Sequence, residues 1–111
     1  MNSPTRKWKR FKVDIRVRLR QWDAPEEASF VVRTFELSEG GMSVYASETL
    51  EMGTRVISEF TLPNTKCALK VRGVVKNRRG FRCGLEFVDI PEVDRLEIAR
   101  YLSALADVIE I

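Results

Sequence analysis

Apolar and polar residues alternate along much of the chain before residue 89, and this period of two is typical of β-strands with one buried face. The clearest case is KVDIRVRLR from Lys12 to Arg20, where every second residue is valine, isoleucine or leucine. We predict five further strands, at residues 29–35, 42–46, 55–62, 66–77 and 81–88. Short polar segments with proline or glycine separate most of them, and Gly80 in NRRG suits a hairpin turn.

The pattern changes after Asp89. Apolar residues then recur every three to four positions, at Ile98, Tyr101 or Leu102, Leu105 and Ile109, with Val93 and Leu96 before them. This spacing predicts an amphipathic helix. The preceding sequence Asp89-Ile90-Pro91-Glu92 supplies a capping residue, a proline for the first turn and an early acid, all of which favour a helix start.

Six short strands without a helical crossover imply antiparallel pairing, and closing the sheet removes its unpaired edges. We therefore expect an all-β protein, a small six-stranded antiparallel barrel with one C-terminal helix. At 111 residues the chain is long enough for one domain. Within it we expect a flexible basic N-terminal loop at 1–12, the barrel at 13–89 and the helix at 91–106.

The net charge of +3 is unevenly distributed. Residues 1–20 contain eight bases and one acid, and residues 64–82 contain seven bases and no acid. The segments 21–63 and 83–111 are acidic. Two basic segments that a fold brings together would attract an anionic ligand.

Several functional classes are excluded by the residues that the chain lacks. It has no histidine, which removes Ser-His-Asp and Cys-His catalysis and most zinc sites. Phosphate-binding glycine loops are also missing, so we expect a binding protein without catalytic activity, metal or cofactor. No run of about 18 apolar residues and no signal peptide occurs, so we expect no membrane insertion, a cytoplasmic location and reduced Cys67 and Cys83.

Two short segments could hold an anionic ligand. In RKWKR, Arg6 and Arg10 are spaced as RxxxR, and a guanidinium can bind phosphate or guanine in bidentate fashion. Taken alone, this common pattern could instead be a solvated basic tail, and its Trp8 could stack on a ligand or plug the end of the barrel. In ELSEGG, Glu36 and Ser38 could contact a base or a phosphate while the glycines allow close approach. A simple turn that needs small residues would give the same sequence.

In this order the two segments resemble the motifs of the PilZ domain, a bacterial receptor module for cyclic di-GMP. That family has RxxxR in an N-terminal loop and [D/N]xSxxG after a strand pair, on a six-stranded barrel with a C-terminal helix. Downstream matches include Leu50, Gly53, Leu62-Pro63 and Gly84-Leu85-Glu86-Phe87. The resemblance implies that five residues bind cyclic di-GMP: Arg6, Arg10, Glu36, Ser38 and Gly41. Additional contacts are expected from Lys7, Trp8, Lys9 and Gly40.

The resemblance also implies that binding orders the N-terminal loop and creates a surface for a downstream protein. One position departs from the family, because Glu36 stands where Asp or Asn is expected and adds a rotatable bond. One alternative is therefore a PilZ-like domain that binds the nucleotide weakly or not at all and acts through protein contacts. Another is a barrel that binds single-stranded nucleic acid. Against it, the predicted strand faces lack the several exposed aromatics that base stacking needs.

Overall fold

The computed structural model describes residues 8–47, 50–63 and 65–109. Its six strands form one closed antiparallel barrel in the order β1-β2-β3-β6-β5-β4. Their bounds are β1 Phe11–Gln21, β2 Phe30–Leu37, β3 Gly41–Tyr45, β4 Arg55–Leu62, β5 Cys67–Arg79 and β6 Arg82–Phe87. A 3-10 turn at Glu26–Ala28 lies between β1 and β2, and one α-helix, α1, follows at Glu92–Ile109. The predicted barrel with one C-terminal helix is confirmed.

The barrel interior contains the apolar residues of the alternating pattern. Among the described strand side chains, Val17, Leu19, Val44 and Leu62 are completely buried, and so is Ile98 of α1. Because successive side chains of a strand lie on opposite faces, the polar residues between them are exposed on the outside. The same alternation therefore forms the core and leaves an outer sheet surface on which a ligand or partner can bind.

The alternation is interrupted in β2, next to the ELSEGG segment. The pairing of β2 with β3 shifts between Thr34 and Glu36, which is a bulge. Both Phe35 and Glu36 are consequently half-buried, and Leu37 instead of Glu36 enters the core. The buried hydroxyl of Thr34 lies 2.8 Å from the carbonyl oxygens of Glu36 and Ser43 and stabilises this bulge.

The turn between β5 and β6 differs from the prediction. We expected strand 66–77 and a turn at NRRG, but β5 continues through Arg79 and pairs it with Arg82. Only Gly80 and Phe81 remain in the turn, and Gly80 has a φ of +62°. A glycine with positive φ at the first position of a two-residue turn matches the twist of a hairpin, so the strands continue further than polarity suggested.

The helix also differs in detail from the prediction. It begins at Glu92, one residue after the predicted 91. Its first backbone hydrogen bonds run from Asp94 and Arg95 to the carbonyl oxygen of Pro91, so Pro91 and not Asp89 is the capping residue. It continues to Ile109, beyond the predicted residue 106. The buried stripe consists of Ile98, Tyr101 and Leu102, whereas two residues that the pattern included are exposed, Val93 to 66% and Leu96 to 48%.

Three further observations concern the described part of the chain. None of its helices is long and apolar enough to cross a membrane. It contains no group of three or more acidic, cysteine or histidine side chains placed to hold a metal ion. Cys83 is a buried free thiol, and its burial raises the pKa of the sulfur.

Candidate ligand-binding site

A cavity of about 590 Å³ lies between the β2–β3 connection, the end of β6 and the first turn of α1. Six of the residues predicted to bind a ligand line it: Trp8, Arg10, Glu36, Ser38, Gly40 and Gly41. Lys9 does not line the cavity, and its ammonium lies 5.3 Å from the ring centre of Phe11. Arg6 and Lys7 lie outside the described residues. The structure thus brings one arginine of RxxxR together with the ELSEGG segment.

Arg10 and Glu36 face each other across one side of the cavity. A guanidinium nitrogen of Arg10 lies 3.5 Å from a carboxylate oxygen of Glu36, and their side chains are 40% and 30% exposed. An ion pair at this distance and exposure contributes about 0–1 kcal/mol. Arg10 and Glu36 can therefore give up their contact with each other and bind a ligand instead, at little cost in free energy.

Ser38 holds the β2–β3 connection in shape. Its hydroxyl oxygen accepts hydrogen bonds from the backbone N–H groups of Gly40 and Gly41, each at 3.1 Å. The hydroxyl also lies within donor distance, 3.3 Å, of the Gly41 carbonyl oxygen. The donor and both acceptor positions of the hydroxyl are thus used within the turn. The buried Ser38 therefore supports the floor of the cavity.

The two glycines of ELSEGG are required by close approach and not by positive φ, which the described glycines show only at Gly53 and Gly80. A Cβ on Gly41 would lie 2.1 Å from the carbonyl oxygen of Leu85 in β6. A Cβ on Gly40 would lie 2.2 Å from the indole ring of Trp8. Gly41 thus allows β3 to approach β6, and Gly40 provides the place where Trp8 of the N-terminal segment packs.

Arg95 connects the helix to this site, and the sequence motifs did not identify it. It donates a 2.6 Å hydrogen bond to Glu39 and two to Glu92, one of them at 3.0 Å. Its guanidinium lies 5.3 Å from the ring centre of Trp8. The bond from Arg95 lowers the pKa of Glu92, and the same bond is the main cause that raises the pKa of Arg95. A sequence signal did exist, because a base in the first turn of a helix opposes the helix dipole and needs acidic partners.

The remaining wall is formed by the outer faces of β5 and β6. Lys76 lies 3.6 Å from Glu86, and both side chains are more than half exposed. The Asn77 side chain covers Gly84, where an added Cβ would come within 2.6 Å of its amide. The cavity is therefore lined by both kinds of hydrogen-bonding group. Its donors, on Arg10, Lys76 and Arg95, suit the anionic part of a ligand, and its carboxylates, on Glu36, Glu39 and Glu86, can accept from ring N–H groups.

Comparison with protein-family models gives a match over residues 4–104 to the model described as PilZ domain. A comparison with curated protein sequences finds no significant match. The matched range includes both short motifs, all six strands and most of α1. The family resemblance drawn from the sequence is therefore confirmed.

Three solved structures, two of them PilZ domains, illustrate the shared fold. The PilZ domain of YcgR from Escherichia coli, solved with c-di-GMP, aligns with a TM-score of 0.73 at 14% identity, covering 96% of this chain and 95% of that one. The PilZ domain of CeSA from a cellulose-synthesizing bacterium gives 0.69 at 18% identity, covering 88% and 98%. The Bacillus subtilis inhibitor of motility gives 0.72 at 17% identity, and the match covers 89% of this chain and 49% of that protein.

Proposed function

Since the chain belongs to the PilZ domain family, we propose that it is a receptor that binds cyclic di-GMP and transmits the binding event to a partner protein. The observation that carries the proposal is the common cavity of Arg10, Glu36, Ser38 and Gly41. In this proposal the protein is a cytoplasmic binding module and not an enzyme. The ligand solved with a related PilZ domain, that of YcgR, is c-di-GMP.

The chemistry of the cavity suits the two kinds of group that this ligand carries. Arg10 can leave Glu36 and bind a phosphate or a guanine edge through paired N–H donors. The carboxylate of Glu36, once released, can accept hydrogen bonds from the N–H groups of a guanine. Each charge-assisted hydrogen bond of this kind contributes about 1.5–3 kcal/mol.

The N-terminal segment provides a route from ligand to partner. Trp8 already packs against Gly40, and the Arg95 guanidinium lies over its ring, so the described end of the RxxxR segment is adjacent to the cavity. In the proposed mechanism, a ligand held by Arg6 and Arg10 fixes that segment against the barrel. The ordered segment and its neighbouring strands then form the surface that a downstream protein recognises.

Titration calorimetry with cyclic di-GMP tests the proposal. We expect saturable binding to the wild type and a loss of affinity of at least about tenfold in Arg10→Ala, because one charged hydrogen-bonding group is removed. Arg100→Ala is the matched control, since the Arg100 side chain is 76% exposed on α1 and does not line the cavity. A titration without heat, or equal losses in both variants, would exclude the receptor.

Glu36→Asp examines the departure from the family motif. The shorter carboxylate cannot maintain the 3.5 Å contact with Arg10. The change also introduces aspartate, one of the two residues that the family pattern has at this position. We expect this variant to bind cyclic di-GMP more tightly than the wild type, with the difference visible in the same titration. Weaker binding would show that the longer side chain is the one suited to this site.

A second candidate function is an adaptor that binds a protein without binding the nucleotide. The observation in its favour is that the site's groups already have partners: Arg10 with Glu36, Glu39 with Arg95, and the Ser38 hydroxyl with its own turn. A partner that binds with equal affinity with and without cyclic di-GMP, in a protein that gives no calorimetric signal, would favour this candidate.

A further inference from the structure

A row of four arginines and one tyrosine crosses the outer surface of the barrel. The row follows directly paired residues of five adjacent strands, from β1 through β2, β3 and β6 to β5. Its members, which we call the arginine row, are Arg16, Arg33, Tyr45, Arg82 and Arg79. All five side chains are exposed, and none of them lines the cavity.

The charges of this row are largely uncompensated within the described part of the chain. Arg33 donates a 2.8 Å hydrogen bond to Asp14, but no described carboxylate lies within 4.0 Å of Arg16, Arg79 or Arg82. Arg79 and Arg82 are direct cross-strand partners. Like charges in that arrangement destabilise a sheet, so the fold itself has no need for them.

Aromatic rings hold one arginine of the row, Arg82, in place. The rings of Phe35 and Tyr45 are 4.5 Å apart, and the Arg82 guanidinium lies 5.3 Å and 5.9 Å from their centres. A guanidinium stacked on rings keeps its N–H edges available for a carboxylate or phosphate. Holding Arg82 in advance reduces the conformational entropy lost on binding.

We propose that the arginine row is a docking surface for an extended acidic segment of a partner protein. The row covers four strand spacings, which is roughly 20 Å measured along the curved barrel surface, and about six residues of an extended peptide that follows this curve have the same length. Phe81, 70% exposed at the adjacent turn, adds an apolar contact for a hydrophobic side chain of the same segment. The surface and the cavity use different residues, so this inference stands whether or not the cavity binds cyclic di-GMP.

Charge and aromatic geometry favour an acidic protein segment over a nucleic acid. Base stacking needs open ring faces, and here Arg82 already lies over both Phe35 and Tyr45. The row also has one acid beside it, since Asp14 is bonded to Arg33. A continuous phosphate backbone along the row would meet this carboxylate, whereas a short acidic segment can bind the arginines beyond it.

Fluorescence anisotropy with a short labelled peptide, rich in glutamate and containing leucine, tests this inference. Two other probes are the same peptide with glutamine in place of glutamate and a single-stranded oligothymidylate of equal length. The protein variants are the double change Arg79→Gln with Arg82→Gln and its charge-matched control, Lys70→Gln with Arg100→Gln. Lys70 and Arg100 are exposed and lie outside the row.

We expect the acidic peptide to bind the wild type. Its affinity for the row variant should be roughly tenfold lower, because two exposed ion pairs are lost. The control variant should bind within about twofold of the wild type, because the net charge alone is not what is recognised. The single change Arg79→Gln removes an exposed side chain's charge and should leave the fold intact, so it should show part of the same loss.

Three outcomes would overturn the inference. Equal weakening in the row and control variants would mean nonspecific attraction by net charge. Binding of the glutamine peptide as tight as that of the acidic peptide would remove the carboxylates from recognition. Tighter binding of the oligothymidylate than of the acidic peptide, lost in the row variant, would assign the surface to nucleic acid instead. Calorimetry of the row variant with cyclic di-GMP separates peptide binding at the row from nucleotide binding in the cavity. Because none of the row residues lines the cavity, the row variant should bind the nucleotide as the wild type does.

Discussion

The β2–β3 connection and the β5–β6 hairpin both reverse the chain between neighbouring strands, but they are stabilised in different ways. The first is held by tertiary contacts: Ser38 bonds both glycine amides, Gly41 touches β6, and Phe87 donates to the Gly40 carbonyl oxygen. The second depends on one backbone conformation, that of Gly80, where an added Cβ would meet no atom within 4 Å. A connection fixed by its surroundings can serve as the floor of a site, whereas an exposed turn can only present side chains.

The largest difference in stability is expected between alanine substitutions at Gly41 and at Gly80. Gly41→Ala should destabilise the protein by about 3 kcal/mol, because its Cβ would push β3 away from the backbone of Leu85. Gly80→Ala should cost only about 1 kcal/mol, the cost of a left-handed conformation with open space around it. Urea denaturation of both variants measures the difference. Equal losses would contradict the contrast between the two connections.

Ser38→Ala should have the next largest effect. It leaves the amides of Gly40 and Gly41 without their acceptor, and an unsatisfied pair of this kind costs about 2 kcal/mol. We also expect faster hydrogen exchange at these two amides and unchanged exchange in β5 and β6. Ser38→Thr, which keeps the hydroxyl, is the matched control. Unchanged stability in the alanine variant would mean that the hydroxyl does not hold this turn.

A smaller effect is expected from Glu92, which supports Arg95 beside the cavity. Because hydrogen bonding to Arg95 lowers the pKa of Glu92 in the folded protein, the pair stabilises the fold above the ordinary glutamate pKa. The contribution is lost as the pH falls through the lowered pKa. The stability difference between the wild type and Glu92→Gln should therefore be present at neutral pH and disappear in acid. A difference that grows on acidification would contradict this assignment.

The smallest effect is expected at the exposed hairpin. Arg79→Gln should change the free energy of unfolding by no more than about 0.5 kcal/mol, and in the stabilising direction, because it relieves the repulsion with Arg82. Denaturation at low and high salt checks the cause, since screening should reduce the gain. A clear loss of stability would mean that Arg79 supports the fold, which would weaken its assignment to a docking surface.

The sequence predicted the fold well where one physical rule dominated. Alternation in β1 and β6 and the change of period after Asp89 follow from burying one face of each element. The rule failed at the β2 bulge, where Thr34 and Leu37 enter the core and Glu36 does not. A bulge depends on the neighbouring strand, and alternation within a single strand cannot reveal it.

Part of the candidate site could be predicted from short motifs. They identified Arg10, Glu36 and Ser38, whose positions are local to two short segments. Arg95 was missed because its partner Glu39 is 56 residues away in the sequence. The arginine row was missed for a related reason, since it exists only in the register between strands. Arg6 and Lys7 stay predictions, because they lie outside the described residues.

The most direct test of the proposed receptor is amide chemical-shift mapping of isotope-labelled protein during titration with cyclic di-GMP. The account predicts large shifts at the amides of Ser38 to Met42 and Gly84 and at the indole of Trp8, with the Gly80–Phe81 turn unchanged. Shifts concentrated at that turn and the arginine row, or no shifts at saturating ligand, would contradict it.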